Sequence, residues 1–370
     1  MRKHVKSEQS QSVQSIEGTG VLIIPSEYEF SPDKLAVGET IGQGAFGVVK
    51  RAVAVNIFVH EPSTTVAVKM LKSIRSSSAI ESLASELKMM IEIGQHLNIV
   101  YFLGAVTKDR ATGKIMLIFE YCQYGSLDVF LRNNAKRFIG CLDKLQNYEV
   151  LKAQPSTVNA EQQNQIDANG LQLKTTDLVS WASQVANGMD FLSSKNILHG
   201  DLAARNVLLS DLNVVKISDF GLSRKLERGI YKKSGDGPVP YKWLALECFT
   251  EHTFSVKTDV WAFGVFLWEL FSLGATPYPG VTDGTQLLTM LQNAYRLENP
   301  THSSRELYDL MLSCWYVAPR LRPDFKELTS VFNAMLPLEL RNNYIALKSQ
   351  YVQQTILTQS SATKIEETNL

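Results

Sequence analysis

Apolar and polar residues alternate along two stretches near the start of the chain, and this pattern predicts β-strands. Residues 48–55 read VVKRAVAV and residues 64–71 read TTVAVKML, with the two-residue period and β-branched side chains that strands favour. Residues 98–106 and 114–121 are further strand-like runs. Residues 78–93 instead place apolar side chains at helical spacing. The first part of the chain is therefore predicted to be mainly sheet with one prominent helix.

The second part of the chain repeats apolar side chains at helical spacing. Helices are predicted at residues 178–192, 259–272, 285–294 and 305–315. The most apolar stretch, residues 260–273, contains Glu269 and is shorter than the roughly 20 apolar residues that a membrane span needs. It is therefore predicted to be a buried core helix.

Three polar stretches flank or interrupt these elements. Residues 1–34 begin with a Ser- and Gln-rich run and are predicted to be flexible. Residues 133–175 include AQPSTVNAEQQNQIDANG, in which polar amides dominate, and predict a mobile insert. Residues 336–370 are polar again and predict a tail. The folded part is thus expected within residues 35–335.

The composition excludes several classes of protein. The 370 residues include 37 Lys plus Arg and 37 Asp plus Glu, so no positive excess favours binding to nucleic acid or to a membrane surface. Hydrophobic residues make up 45% and charged residues 20%, as in folded globular proteins, and the length suggests two domains or lobes. The four cysteines are far apart, which excludes a CxxC zinc cluster or disulfide framework and fits a reducing compartment.

A glycine-rich loop lies between the first two predicted strands. Residues 41–49 read IGQGAFGVV and contain GxGxxG, whose glycines let backbone N–H groups approach phosphate oxygens. A dinucleotide-binding fold would need a helix to begin here, but the following residues alternate as a strand does. Alone, the loop fits a simple glycine-rich hairpin equally well.

A lysine and a glutamate follow this loop at a defined spacing. Lys69 lies on the second alternating strand, and Glu86 lies 17 residues later on the predicted helix. An exposed lysine on a strand is usually only solvated. After a phosphate-binding loop, however, a lysine held by a carboxylate is a fixed positive charge suited to nucleotide phosphates.

Two further motifs complete an ordered set. Residues 199–206 read HGDLAARN, and residues 219–221 read DFG. With the glycine loop, Lys69 and Glu86 in the same order, residues 35–335 resemble protein kinases, and specifically the receptor tyrosine kinases. Any one of these motifs could arise by chance, but the ordered set could not easily do so.

The resemblance implies an α+β, two-lobed protein kinase fold. The N-lobe, residues 35–121, would hold an antiparallel five-stranded sheet plus one helix. The C-lobe, residues 122–335, would be mainly helical and interrupted by the insert. The resemblance also implies that residues 1–34 are juxtamembrane-like.

The resemblance further implies transfer of the γ-phosphate of ATP to tyrosine hydroxyls. Asp201 would accept the substrate proton beside Arg205, Lys69 paired with Glu86 would grip the phosphates, and Asn206 and Asp219 would hold Mg²⁺. The implied ATP site comprises Ile41, Gly42, Gln43, Gly44, Ala45, Phe46, Gly47, Val49, Ala67, Lys69, Phe119, Glu120, Cys122 and Leu208. Phe119 stands at the position of the family's gatekeeper.

Tyrosine specificity and the subgroup rest on other residues. Ala203-Ala204-Arg205 follows the receptor tyrosine kinase pattern and disfavours a serine/threonine kinase, and residues 240–247, PYKWLALE, resemble the segment that supports a substrate ring. Glu247 and Arg322 match the family's buried ion pair. The position of the insert resembles that in the platelet-derived and vascular endothelial growth factor receptor group, including its invertebrate members.

Membership of this group implies partners and a location. The domain would lie on the cytoplasmic side of the plasma membrane in a full receptor, whereas the chain as given has no apolar span and would be soluble in the cytoplasm. Dimers would phosphorylate one another and protein substrates at tyrosine. Tyr231 is a candidate phosphosite in the activation loop, Tyr344 and Tyr351 are candidates in the tail, and Tyr148 is one in the insert. We hypothesise that phosphate at such sites recruits SH2-type domains. The alternative is that these tyrosines are exposed to solvent and have no role.

One residue departs from the family pattern. Gly200 replaces the arginine that precedes the catalytic aspartate and pairs with a phosphorylated activation-loop tyrosine. Arg224, Lys232 or Lys233 could supply a weaker substitute. The same departure leaves open a kinase-fold scaffold that binds nucleotide and partners but transfers no phosphate.

Overall fold

The protein divides into two compact units. The computed structural model describes residues 14–15, 22–44, 47–58, 61–72, 77–108, 115–140, 172–227, 229–233 and 239–367. The first unit comprises Met1–Gln95, Tyr101–Tyr121 and Tyr351–Leu370, and the second comprises His96–Val100 and Cys122–Gln350.

The first unit contains, among its described residues, a five-stranded antiparallel sheet. Its strands are β3 (Leu35–Gln43), β4 (Val48–Phe58), β5 (Glu61–Met70), β6 (Phe102–Val106) and β7 (Met116–Glu120), in the order β3-β4-β5-β7-β6. Helix α1 (Ser77–Ile93) follows β5 in the chain, and two short strands, β1 (Gln14–Ser15) and β2 (Leu22–Ile23), pair with each other.

The two faces of the sheet differ in character because side chains alternate along each strand. One face carries a buried apolar cluster of Ala52, Ala54, Val66, Val68, Val106, Met116 and Ile118. On the other face, Val49 lies opposite Lys69, and Ala67 lies opposite Phe119. The alternation predicted from the sequence thus separates a core face from a second face, which carries Lys69.

Part of the predicted flexible lead-in is bonded to this sheet. Glu29 accepts hydrogen bonds from the Thr107 hydroxyl at 2.6 Å and the Thr107 N–H at 3.0 Å. The N–H of Phe30 donates to the carbonyl of Ala105 at 2.7 Å. Residues just before the domain are therefore fastened to the strand at the edge of the sheet.

The second unit is built mainly from helices. They are α2 (Leu127–Asn134), α3 (Thr175–Ser194), α4 (Leu246–Thr250), α5 (Val256–Phe271), α6 (Gly284–Gln292), α7 (Arg305–Cys314), α8 (Phe325–Met335) and α9 (Leu338–Glu367), with α9 entering the first unit at Tyr351. Three short antiparallel pairs accompany them: β8 (Ile197–Leu198) with β11 (Arg224–Lys225), β9 (Val207–Leu209) with β10 (Val215–Ile217), and β12 (Tyr231–Lys232) with β13 (Thr253–Phe254).

Helix α5 is the central element of the second unit. It is apolar on nearly all sides and buried, as expected of a core helix. Ser255 begins it with a capping box, in which Thr258 accepts from the Ser255 N–H at 3.2 Å. A β-carbon at Gly264 would lie 2.6 Å from Nε1 of Trp315, so glycine permits close packing there. None of the helices in the described part of the chain has the length and apolarity needed to cross a bilayer.

The predicted fold is confirmed, with differences at the element boundaries. The α+β arrangement combines a five-stranded antiparallel sheet with a helical second unit. The predicted strand at 98–106 begins only at Phe102, because Asn98 makes buried hydrogen bonds within the second unit. The predicted tail contains the helix α9.

The insert leaves and re-enters the second unit at one place. The N–H of Ile139 donates to the carbonyl of Leu173 at 2.8 Å, and Ile139 forms a parallel bridge with Lys174. Residues 141–171, which include Tyr148, lie outside the described residues. The two ends of the insert are therefore joined by main-chain hydrogen bonding.

Candidate active site

The glycine loop links β3 to β4 in the first unit. The N–H of Gly44 donates to the carbonyl of Gly47 at 3.0 Å, and Gly42 lies opposite Val49. A β-carbon on Gly47 would lie 2.6 Å from the carbonyl oxygen of Met70, so only glycine fits there. Ala45 and Phe46 lie outside the described residues.

Lys69 and Glu86 meet in the first unit, as the resemblance implied. The Nζ of Lys69 lies 2.7 Å from both Oε1 and Oε2 of Glu86. The exposed fractions of the two side chains are 12% and 4%. Solvent therefore screens the pair weakly. Glu86, on α1, holds the Lys69 ammonium group on the face of the sheet opposite the core.

Other predicted ATP-site residues of the first unit lie on neighbouring strands. Ile41 on β3 is exposed, and Gln43 is exposed at the end of the same strand. Phe119 on β7 is buried with its ring edge-on to Phe102, at a centroid distance of 5.7 Å. The Glu120 N–H donates to the Tyr101 carbonyl at 3.0 Å.

Two predicted ATP-site residues belong to the second unit. The Cys122 carbonyl accepts from the Gly125 N–H at 3.2 Å. Leu208 lies on β9 opposite Lys216 on β10, and it also forms a bridge with Ser126. Leu208 therefore pairs both with β10 and with the residue that precedes α2.

The residues around Asp201 converge on its carboxylate. Arg205 donates to Oδ1, and the amide nitrogen of Asn206 donates to Oδ2 at 2.8 Å and to the Asp201 carbonyl at 2.7 Å. Burial raises the pKa of Asp201, while the Arg205 charge and the Asn206 hydrogen bond oppose that rise. Three predicted site residues thus form one hydrogen-bonded group.

Two buried carboxylates on α5 support the loop that carries Asp201. Asp259 accepts from the N–H groups of His199 at 2.8 Å and Gly200 at 2.9 Å. Glu269 accepts from the Ala204 N–H at 2.9 Å and from Nε1 of Trp243 at 3.0 Å. Burial raises the pKa of each carboxylate to about 7.

Sequence reasoning did not identify Asp259 and Glu269 as functional residues. The available signal was a charged residue inside an otherwise apolar helix. Buried carboxylates are rare unless they are hydrogen-bonded. Each of these residues therefore implied a hydrogen-bonding partner, which the sequence did not identify.

Gly200 has a backbone conformation that suits glycine. Its φ is +79°, in the left-handed region that residues with a β-carbon seldom adopt. A β-carbon there would lie 3.1 Å from the Leu222 carbonyl. Glycine at this position therefore removes strain from the loop as well as the side chain that the family pattern contains.

Asp219 lies two residues beyond β10. Its Oδ1 accepts from the Gly221 N–H at 3.4 Å, and its φ of +62° is left-handed. Ser218 donates through its N–H and its hydroxyl to the Asn206 carbonyl, at 2.8 and 3.0 Å. These bonds tie the residue before Asp219 to Asn206, so the two predicted metal ligands belong to one local network.

The donor set of these two residues fits Mg²⁺. Both amide hydrogens of Asn206 are donated to Asp201, so the amide oxygen Oδ1 is the atom of this side chain that would bind a metal. The described residues contain no cluster of three or more His, Cys, Asp or Glu side chains able to hold a metal. A site of one carboxylate and one amide suits Mg²⁺, which takes its remaining oxygens from phosphates and water.

Arg205 also connects Asp201 to the predicted substrate-supporting segment. Its guanidinium carbon lies 4.1 Å from the centre of the Trp243 ring. At the end of that segment, Arg322 makes two bonds to Glu247, at 2.6 and 2.8 Å, and both side chains are buried. The ion pair predicted from the sequence is present and bidentate.

The candidate phosphosites lie in different settings. Tyr231 is half-buried on β12, opposite Phe254. Tyr344 lies on α9, where its hydroxyl donates to Oδ1 of Asn98 at 2.5 Å. Burial raises the pKa of Tyr344 and also that of Tyr351. Neither residue of the predicted tail is therefore fully exposed.

Comparison with known proteins identifies related domains. A model of the protein tyrosine and serine/threonine kinase family matches residues 35–332. Vascular endothelial growth factor receptor 1 of Mus musculus is 38% identical over 378 residues, covering 92% of this chain and 28% of the receptor. Receptor 3 of Danio rerio is 42% identical over 330 residues, covering 84% and 24%. Receptor 2 of Coturnix japonica is 39% identical over 351 residues, covering 86% and 26%.

The chain spans about a quarter of the length of these curated relatives. The resemblance predicted from the motifs is confirmed by both kinds of match. Since the family model matches most of the chain, the chain belongs to the protein tyrosine and serine/threonine kinase family.

Proposed function

We propose that the chain is a protein-tyrosine kinase that transfers the γ-phosphate of ATP to tyrosine hydroxyls. The arrangement of Asp201 carries this proposal, because Arg205 and Asn206 fix its two carboxylate oxygens. A carboxylate oriented in this way can accept the hydrogen bond, and then the proton, of a substrate hydroxyl. Burial favours its role as a base by raising its pKa.

Kinases of this family use ATP with Mg²⁺. ATP supplies the phosphoryl group, and Mg²⁺ neutralises its charge. In this chain, Lys69 would bind the α- and β-phosphates, with Glu86 holding its ammonium group in place. Asn206 and Asp219 would hold Mg²⁺. Main-chain N–H groups of the glycine loop would bind phosphate oxygens. Adenine would contact Ile41, Val49, Ala67, Phe119, Glu120, Cys122 and Leu208.

Preference for tyrosine would come from the segment around Trp243. The stacked Arg205 guanidinium holds this ring beside the catalytic loop. Trp243 is also fixed by its bond to Glu269. Residues 240–247, held in this way beside the catalytic loop, would support the ring of a substrate tyrosine.

A receptor context completes the proposal. Similarity to three vascular endothelial growth factor receptors supports a signalling domain on the cytoplasmic side of the plasma membrane, as part of a longer receptor. Dimers would phosphorylate one another in trans. Protein tyrosines would be the substrates, and phosphate at Tyr231, Tyr344 or Tyr351 would be read by SH2-type domains.

The test is phosphate transfer by the purified chain. With ATP and Mg²⁺, the chain should phosphorylate a Glu/Tyr copolymer, and both Asp201→Asn and Asp219→Ala should lower the rate by about a hundredfold or more. If the parent and both variants were equally inactive, the kinase proposal would be wrong. No observation among the described residues favours the scaffold alternative, since Lys69 and Asp201 both have their expected partners.

A further inference from the structure

Tyr344 is hydrogen-bonded to the body of the second unit. It lies on α9, in the part of that helix that belongs to this unit, and its hydroxyl donates to Oδ1 of Asn98 at 2.5 Å. Asn98 is fully buried in the segment that leads to β6. The hydroxyl of one tyrosine therefore fastens a helix near the end of the chain to a buried amide 246 residues earlier.

The rest of the Asn98 side chain is already committed. Its amide nitrogen donates to Oε1 of Gln184 at 3.1 Å and to the Val215 carbonyl at 2.9 Å. Gln184 Oε1 also accepts from the Val215 N–H at 2.9 Å. The orientation of the amide is therefore fixed, and only its oxygen faces Tyr344.

The backbone of the same segment is joined to β10. The Ile217 N–H donates to the Asn98 carbonyl at 2.8 Å, and the Val100 N–H donates to the Ile217 carbonyl at 2.9 Å. Asp219 follows Ile217 by two residues. Asn98 thus binds Tyr344 through its side-chain oxygen and the strand before Asp219 through its carbonyl and its amide nitrogen.

We propose that Tyr344 is a phosphorylation-controlled clasp, whose free hydroxyl holds α9 on Asn98 and whose phosphorylation releases α9 and loosens β10. In the modification, the phenolic oxygen forms a bond to the γ-phosphorus of ATP. The bond from that phosphorus to the bridging oxygen breaks, ADP leaves, and the hydroxyl proton is released. This deepens the proposed function, on which it rests for the choice of Tyr344 as a phosphosite.

Release follows from the hydrogen-bonding roles of the groups. A phosphorylated tyrosine has lost its hydroxyl hydrogen and presents only acceptor oxygens with a charge of about −2. The atom that faces it, Oδ1 of Asn98, is also an acceptor, and the amide hydrogens are held by Gln184 and Val215. The phosphate would leave this buried amide oxygen without a donor, which is unfavourable.

Amide hydrogen exchange on the full chain tests the clasp. The chain should carry Asp201→Asn, and an added active tyrosine kinase should supply the phosphate, so that the result does not depend on the chain's own activity. Compared with the parent, Tyr344→Phe should speed exchange in residues 338–350 about fivefold, the factor that one hydrogen bond typically supplies. Phosphate on Tyr344 should speed it further and should extend the change to Val215–Ile217.

Tyr308→Phe is the matched control. Its hydroxyl also makes one bond of similar length, 2.8 Å to the Leu297 carbonyl, and Tyr308 lies on α7 rather than on α9 or β10. If Tyr344→Phe changed exchange in residues 338–350 no more than Tyr308→Phe does, the clasp would be excluded. Unchanged exchange at Val215–Ile217 after phosphorylation of Tyr344 would exclude the coupling to β10.

The rate of modification supplies a second test. While α9 is bound to Asn98, the Tyr344 hydroxyl is occupied by that hydrogen bond. The added kinase can therefore phosphorylate Tyr344 only after α9 detaches. Ala346→Pro breaks the helix two residues beyond Tyr344 and should raise the rate of Tyr344 phosphorylation at least fivefold. Equal rates in the parent and in Ala346→Pro, or no phosphate at Tyr344 in either, would overturn the proposal.

Discussion

Single side chains on α5 determine how the catalytic loop is held. Asp259 and Glu269 both lie in an apolar, buried helix, and each accepts two hydrogen bonds from the loop or its surroundings. Glu269 joins the main chain at Ala204 to the ring of Trp243. Because Trp243 also contacts Arg205, the position of the Asp201 partner depends on a carboxylate that does not touch Asp201.

Glu269→Gln should change how stability depends on pH. Burial raises the pKa of Glu269 from its ordinary 4.5 to about 7. Between these two pKa values, the folded chain therefore binds more protons than the unfolded chain. The stability that protonated Glu269 contributes is lost as the pH rises through this range. Between about pH 5 and pH 7, the free energy of unfolding should fall more steeply for the parent than for Glu269→Gln. Denaturant unfolding at several pH values measures this, and parallel curves would contradict it.

Which residues the sequence could identify depended on motif chemistry. Lys69 and Glu86 were predicted to meet because the resemblance fixed their roles, and they do meet. Asn98 carried no such signal. Its hydrogen bonds to Gln184 and Val215 join parts of the chain that are about a hundred residues apart, and only the tertiary fold brings these together.

Two short strands of the activation segment, which runs from Asp219 to Glu247, pair with strands outside it. At its start, β11 pairs with β8, just before the catalytic loop. Further along, β12 carries Tyr231 and pairs with β13, and the Lys233 N–H donates to the His252 carbonyl at 3.0 Å. Main-chain pairing therefore positions the segment in a chain that has Gly200 where the family has a phosphate-binding arginine.

Tyr231→Phe should lower activity only modestly. Phenylalanine keeps the ring that lies 6.2 Å from the Phe254 ring, and the strand pairing does not use the hydroxyl. Copolymer phosphorylation by the purified variant, with Asp201→Asn as the inactive reference, measures the effect. A loss above about a hundredfold, nearly 3 kcal/mol, would show that phosphate on Tyr231 is needed despite Gly200.

Elements with a periodic apolar face were predicted well, and the others were not. The predicted helix at 178–192 corresponds to α3, and that at 305–315 corresponds to α7. Helix α9 was missed because its sequence has no continuous apolar stripe that marks a buried face. Its contact through Tyr344 is a polar one, which hydrophobic periodicity does not detect.

The fold as a whole could be predicted because its motifs occur in a fixed order. The glycine loop, Lys69, the catalytic loop and the DFG segment together define one family, whose architecture the structure shows. The zero net charge predicted none of this. Net charge is a sum and does not show where individual charges lie, such as those of the buried pair of Glu247 and Arg322.

Arg322→Met should strongly destabilise the chain. Arg322 binds Glu247 through two nitrogens and also donates to the carbonyls of Lys257 and Tyr316, so its loss leaves a buried carboxylate unpaired. A loss of about 3–5 kcal/mol is expected in denaturant unfolding. The exposed Arg320→Met is the control. A difference between the two variants below about 1 kcal/mol would contradict the structural role of the pair.

The main-chain closure at Ile139 and Leu173 has a consequence for how such a domain can change over time. Because the two ends already meet, the entropy of closing the intervening segment grows only with the logarithm of its length. Lengthening the segment between these ends should thus add only a small entropic cost. Recognition sequences can be gained, lost or exchanged there by evolution, or inserted by an engineer, while the catalytic machinery stays unaltered.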